Sequence, residues 1–170
     1  QRTMDLYWAA ADQRARGFMI GGTAGRTTLN GEGLQHEDGH SLILSGLIPT
    51  CLSYDPTFSY EVAVIMQDGM RRMFQEQEDI FYYITVMNEN YEHPAMPEGS
   101  AADIIKGMYL FHKGAVADGK KAAPRVQLLG SGTIFREAIA AAELLKKDWG
   151  VDADLWGCPS FNELAREGND

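Results

Sequence analysis

Two histidines and two acids lie within five consecutive positions, His36-Glu37-Asp38-Gly39-His40. In spelling this is H-E-x-x-H, in which a helix sets two imidazoles on one face around zinc with a glutamate beside the metal. The surroundings argue against that use. Gly39 lies inside the pattern, Gly31 and Gly33 lie just before it, and no apolar periodicity marks a helix around it. Without zinc the cluster still carries chemistry, because a histidine takes up or releases a proton near neutral pH. A solvated polar loop, in which the same side chains only satisfy backbone groups, is the competing reading.

The run Gly21-Gly22-Thr23-Ala24-Gly25-Arg26-Thr27-Thr28 lies upstream of the cluster. It has the outline of a phosphate loop but lacks the G-K-[ST] ending, with Arg26 where lysine is needed and no clear helix following. A nucleoside triphosphate site is therefore not expected. Arg26 or nearby amides could contact an anionic group, or the glycines could simply let backbone approach backbone.

The flanking elements determine where these residues sit. Thr3 to Arg16 reads as a helix capped by Thr3, with a loose apolar face and Gly17 to end it. Phe18-Met19-Ile20 suits a short buried parallel strand. Gly21 to His40 is then a long glycine-rich loop following a strand, which is where α/β folds place ligands. Ser41 to Gly46 reads as a short helix, and Thr50 to Tyr54 as a strand stopped by Asp55-Pro56. Ser59 to Gln75 has helical periodicity. Ile80 to Met87, dense in aromatic and β-branched residues, is a strand. Asn88 to Ala102 reads as a linker, Lys106 to Phe111 as a strand, and Lys113 to Pro124 as a surface loop. From Arg125 a second unit follows: strand Val126 to Gly130, amphipathic helix Thr133 to Asp148, strand Ala153 to Trp156, and a helix over Ser160 to Arg166. Strands alternating with helices imply an α/β fold with mostly parallel sheets and flanking helices.

Composition narrows the function classes. The 170 residues are 45% hydrophobic and 23% charged, the balance of a globular protein able to bury its own core. A formal net charge of −9 argues against a nucleic-acid or anionic-membrane binder, which needs clustered lysine and arginine. No apolar run approaches a membrane span. Cys51 and Cys158 are far apart and outside any C-x-x-C pair, so free thiols in a reducing cytoplasm are expected. The start at Gln1, without an initiator methionine or signal-peptide pattern, reads as the interior of a longer chain.

The run from Gly21 to His40 (GGTAGRTTLNGEGLQHEDGH) resembles the bacterial homodimeric pyruvate dehydrogenase decarboxylating, acetyl-transferring component. Further stretches agree in order along nearly the whole chain. They include Ser53-Tyr54-Asp55-Pro56, Tyr82-Tyr83-Ile84-Thr85, Asn88-Glu89-Asn90-Tyr91, Pro94 to Gly99 and Val126 to Gly132. Glu37-Asp38-Gly39 also resembles the corresponding loop of transketolases, which share the fold.

The resemblance implies a homodimer of three α/β domains with a transketolase-like thiamine-diphosphate-binding fold. Residues 1–99 would be the later part of the middle, pyrimidine-binding domain. Residues 100–124 would be a linker and surface loop, and 125–170 the opening part of the transketolase-like C-terminal domain. The cofactors implied are thiamine diphosphate and magnesium, with the main cofactor residues and the metal ligands upstream of this chain. The substrate would be pyruvate, and the partner the lipoyl-bearing dihydrolipoamide acetyltransferase component, all in the cytoplasm. His36 would lie near the covalent substrate adduct, His40 would orient the loop, and Glu37 and Asp38 would stand behind them. A piece of this kind is expected to be inactive alone and to self-associate.

Two other readings remain open on the residues. One is a noncatalytic α/β binding or assembly module, which comparison of intact mass with the gene-encoded length would separate. The other is a zinc hydrolase using His36 and His40, which metal analysis would settle.

Overall fold

In a computed structural model, the chain is described over residues 4–22, 38–87, 89–115 and 124–169. The first sheet is built from three short apolar runs, β1 (Phe18–Gly21), β2 (Cys51–Tyr54) and β3 (Phe81–Thr85). They run parallel in the order β1-β3-β2. Central β3 is buried at every residue, as a strand covered on both faces must be. Its alternation feeds two cores. Tyr82 and Ile84 pack with Leu52, Ile65 and Met73 on one face. Phe81 and Tyr83 pack with Ile48 and Cys51 on the other.

Helices α1 (Met4–Asp12) and α2 (Ser41–Gly46) cover the second of these faces through Tyr7, Ala11 and Leu42. Helix α3 (Ser59–Met70) covers the first through Ile65. Gly69 lets α3 approach closely, because a Cβ there would come within 2.8 Å of the Phe18 ring. The expected helix over 59–75 is present, but its last turn, Arg71–Gln75, is π-helical and closes with Glu76 N donating to Arg71 O at 3.0 Å.

The second sheet contains β4 (Tyr109–His112), β5 (Arg125–Gly130) and β6 (Asp152–Gly157) in the order β4-β6-β5. β5 and β6 are parallel and β4 is antiparallel. Helix α5 (Ile134–Trp149) links the parallel pair, and α6 (Phe161–Asn169) follows β6. The two sheets share a core, since Ile104 and Tyr109 join the cluster of Leu52, Tyr54 and Tyr82.

Two local expectations change. The first helix stops at Asp12, because Arg14 takes the left-handed position (φ 54°) instead of Gly17. Ala15 N then bonds Ala10 O and Arg14 N bonds Ala11 O, each at 2.9 Å, completing a Schellman closure. The strand read over 106–111 is present as β4, shifted to Tyr109–His112, but the residues before it, read as linker, hold helix α4 (Ala101–Lys106). A six-residue helix has too few turns to show periodicity, and the turn signals of Pro97 and Gly99 hid its start. Gly107 ends it at φ +103°, and a Cβ there would meet Ser160 O at 2.2 Å.

Candidate functional site

The carboxyl ends of β2, β3, β5 and β6 converge on Asp55, the residue after β2. Its carboxylate accepts from Thr85 Oγ1 at 2.5 Å and from Ser131 Oγ at 2.7 Å. Its backbone donates to Pro159 O at 2.6 Å and accepts from Gly132 N at 2.9 Å. Asp55 therefore joins the ends of both sheets while only 6% exposed. Gly132 approaches it so closely that a Cβ would lie 2.7 Å from the carboxylate oxygens. Beside this junction is a cavity of about 210 Å³ bordered by Gly39, Ser53, Asp55, Ser131, Ser160 and Asn162. The carboxyl edge of parallel strands is where open α/β sheets bind ligands.

Gly39 brings the histidine loop to this cavity. The described part of the loop is held by Asp38, whose Oδ1 accepts from Ser41 N at 2.9 Å and His40 N at 3.3 Å. Its Oδ2 accepts from Ser41 Oγ. These bonds satisfy amides at the start of α2 that have no partner within the helix. Asp38 thus spends its acceptors on anchoring the loop end. On the sheet below, burial raises Tyr83 above the ordinary tyrosine range, and the nearby Ser41 hydroxyl opposes that shift.

His40 is exposed at φ −146°, ψ 0°, just before α2 begins. Residues 38–40 are not helical, so the last part of H-E-x-x-H lacks the helix that its zinc geometry requires. Among the described residues, no group of three or more His, Cys, Asp or Glu could hold a metal ion. His36, Glu37 and Arg26 lie outside the described residues. Gly21 belongs to β1, where its missing side chain makes room for Tyr83; a Cβ would lie 2.5 Å from that hydroxyl.

A larger cavity, about 970 Å³, lies among the Pro94 to Pro97 segment, β4, α5 and β6. Phe111, Ile139, Ala142 and Leu155 line it along with Lys113 and Lys146, and no described residue of the histidine loop borders it. The sequence marked Asp55 only as a strand stop. An acid directly after a parallel strand is nevertheless a visible signal for the ligand edge. Ser131 and Asn162 carried no such signal, because their place depends on the second sheet docking against the first.

The profile of the pyruvate dehydrogenase E1 component middle domain matches residues 1–94, and that of the transketolase-like TK C-terminal domain matches 107–170. The pyruvate dehydrogenase E1 component of Cupriavidus necator is 73% identical over 170 residues, covering 100% of this chain and 19% of its own length. That of Escherichia coli (strain K12) is 61% identical over 171 residues, with 100% and 19% covered. That of Mycolicibacterium smegmatis is 51% identical over 170 residues, with 99% and 18% covered. The chain thus spans about a fifth of the length of these relatives. A transketolase structure from Pichia stipitis shares the fold at TM-score 0.55 and 16% identity, covering 96% of this chain and 23% of that one.

Proposed function

Because this chain belongs to the pyruvate dehydrogenase E1 component family, we propose that the full-length protein decarboxylates pyruvate with thiamine diphosphate. The acetyl group would pass to the lipoyl group of the dihydrolipoamide acetyltransferase component of a pyruvate dehydrogenase complex. The observation that carries this reading is the unbroken similarity to E1 components along the chain. The protein would act as a cytoplasmic homodimer; no described helix is long and apolar enough to cross a membrane.

Within that protein, residues 1–99 would close the middle domain, 100–124 would connect, and 125–170 would open the C-terminal domain. The described residues do not themselves make a metal site. Magnesium and the main contacts to thiamine diphosphate would come from elsewhere in the full-length protein. The bound cofactor supplies an electron sink for decarboxylation. This chain would supply one wall: His36 manages a proton or charge beside the substrate, His40 orients the loop, and Glu37 and Asp38 support them. The hydrogen bonds from His40 N and Ser41 N to Asp38 support the last of these roles.

The test is turnover. Full-length protein with thiamine diphosphate, magnesium and a lipoyl acceptor should release carbon dioxide from pyruvate and acetylate the acceptor. The 170-residue chain alone should do neither. A full-length protein that ignores pyruvate but turns over another 2-oxo acid would overturn the substrate assignment.

A further inference from the structure

Five backbone carbonyls between Leu42 and Ser53 accept side-chain donors from a single stretch, residues 160–166. Asn162 Nδ2 donates to Leu42 O at 2.7 Å. Arg166 Nη2 donates to Cys51 O at 2.6 Å and Ile48 O at 3.4 Å, and Nη1 donates to Pro49 O at 3.1 Å. Ser160 Oγ donates to Ser53 O at 2.6 Å and accepts from Glu163 N at 3.0 Å, so the residue that caps α6 also grips β2.

Each of the five carbonyl contacts runs from a side chain of the second unit to the backbone of the first. They act on the chain's path, whatever side chains residues 42–53 carry. The planar guanidinium suits Arg166 to bridging several carbonyls in the turn that leads from α2 into β2. Packing is equally direct, because a Cβ on Gly46 would lie 2.9 Å from Asn162 Nδ2. At its other end α2 is tied through Ser41 to Asp38, and so to the backbone of His40. The connection therefore runs from α6 through α2 to the end of the histidine loop.

We infer that Asn162 and Arg166 are positioning residues for the reaction proposed above: α6 of the second unit sets the place of the His40 end of the loop. The inference rests on that functional reading for its catalytic part only. The anchoring itself is measurable without turnover.

The experiment uses the full-length protein with Asn162→Asp, which keeps the side chain's size but turns the donor into a second acceptor facing Leu42 O. Amide exchange should accelerate over residues 38–46 and stay at the wild-type rate in β3, residues 81–85. The kcat for pyruvate should fall about tenfold while the KM for thiamine diphosphate is unchanged, since displacement of a positioned group costs rate more than remote binding. Arg166→Lys, which keeps the charge but loses the fork, should change the same two readouts in the same direction and decides the matter if Asn162→Asp does not fold. Wild-type kcat in a folded variant, or exchange that rises equally through 81–85, overturns the inference. A wild-type protein inactive on pyruvate would sink the functional reading alone, and the exchange measurement would still decide whether α6 holds the loop.

Discussion

Tyr109 Oη donates a 2.6 Å hydrogen bond to Glu61 Oε1, joining the first strand of the second sheet to the first turn of a helix on the first sheet. Glu61 is 1% exposed. Its other oxygen accepts from Phe58 N at 2.8 Å and from Thr57 N, and Tyr60 Oη lies 2.6 Å from Tyr109 Oη. Tyr109→Phe would leave a buried carboxylate oxygen without its donor. The expected cost is about 1–3 kcal/mol, read as a lower urea midpoint in the region spanning both sheets.

Burial is the main cause that raises the Glu61 pKa, against the opposing hydrogen bonds from Tyr109, Phe58 and Thr57. A carboxyl whose folded-state pKa lies above its unfolded value binds its proton more tightly when folded. Its contribution is full below the ordinary glutamate range and is lost as pH rises through the folded pKa. Glu61→Gln should flatten that decline. A Glu61→Gln stability profile parallel to wild type over the range from about pH 4 to 8 would contradict the assignment.

Asp154 behaves in the opposite sense. Arg125 foremost, then Gln127 and Gly114 N, hold its pKa down at about 2, below the usual 3.8. The stability this gives is present above the unfolded value and is lost as pH falls through the folded one. The stability gap between wild type and Asp154→Asn should therefore narrow as pH drops from about 4 to about 2. A gap of constant size would mean that Asp154 acts through packing rather than charge.

In the full-length protein, His36→Ala is expected to lower pyruvate turnover about 100-fold, the scale of a lost general acid or base, with an unchanged circular dichroism spectrum. Unaltered kinetics would remove His36 from the site.

The isolated 170-residue chain should self-associate. Trp149 is 77% exposed, Leu6 65%, Met70 51%, and both Phe74 and Leu129 50%, so large apolar side chains are offered to water for association. Leu129 lies on β5, an edge strand of the second sheet among the described residues, and an edge strand can pair with another chain. Light scattering should report species larger than one chain, and a clean monomer would be the contrary result.

What the sequence determined by itself was mostly local. Ile80 to Met87 carries enough aromatic and β-branched residues to demand a buried strand, and β3 occupies its middle. The apolar stripe of residues 133–148 demands a helix, and α5 runs one residue later. The histidine loop announced itself by residue type and its glycines, and the family resemblance was present in its spelling. Helix α4 and the π-helical turn after α3 were not legible, because each is too short to imprint a period. The meeting of Asp55 with Thr85 and Ser131, the burial of Glu61 under Tyr109 and the grip of Asn162 on Leu42 were decided only by tertiary structure. Each joins groups 30 to 120 residues apart. Their partnership follows from how two sheets share one core, a relation that neither propensity nor periodicity encodes.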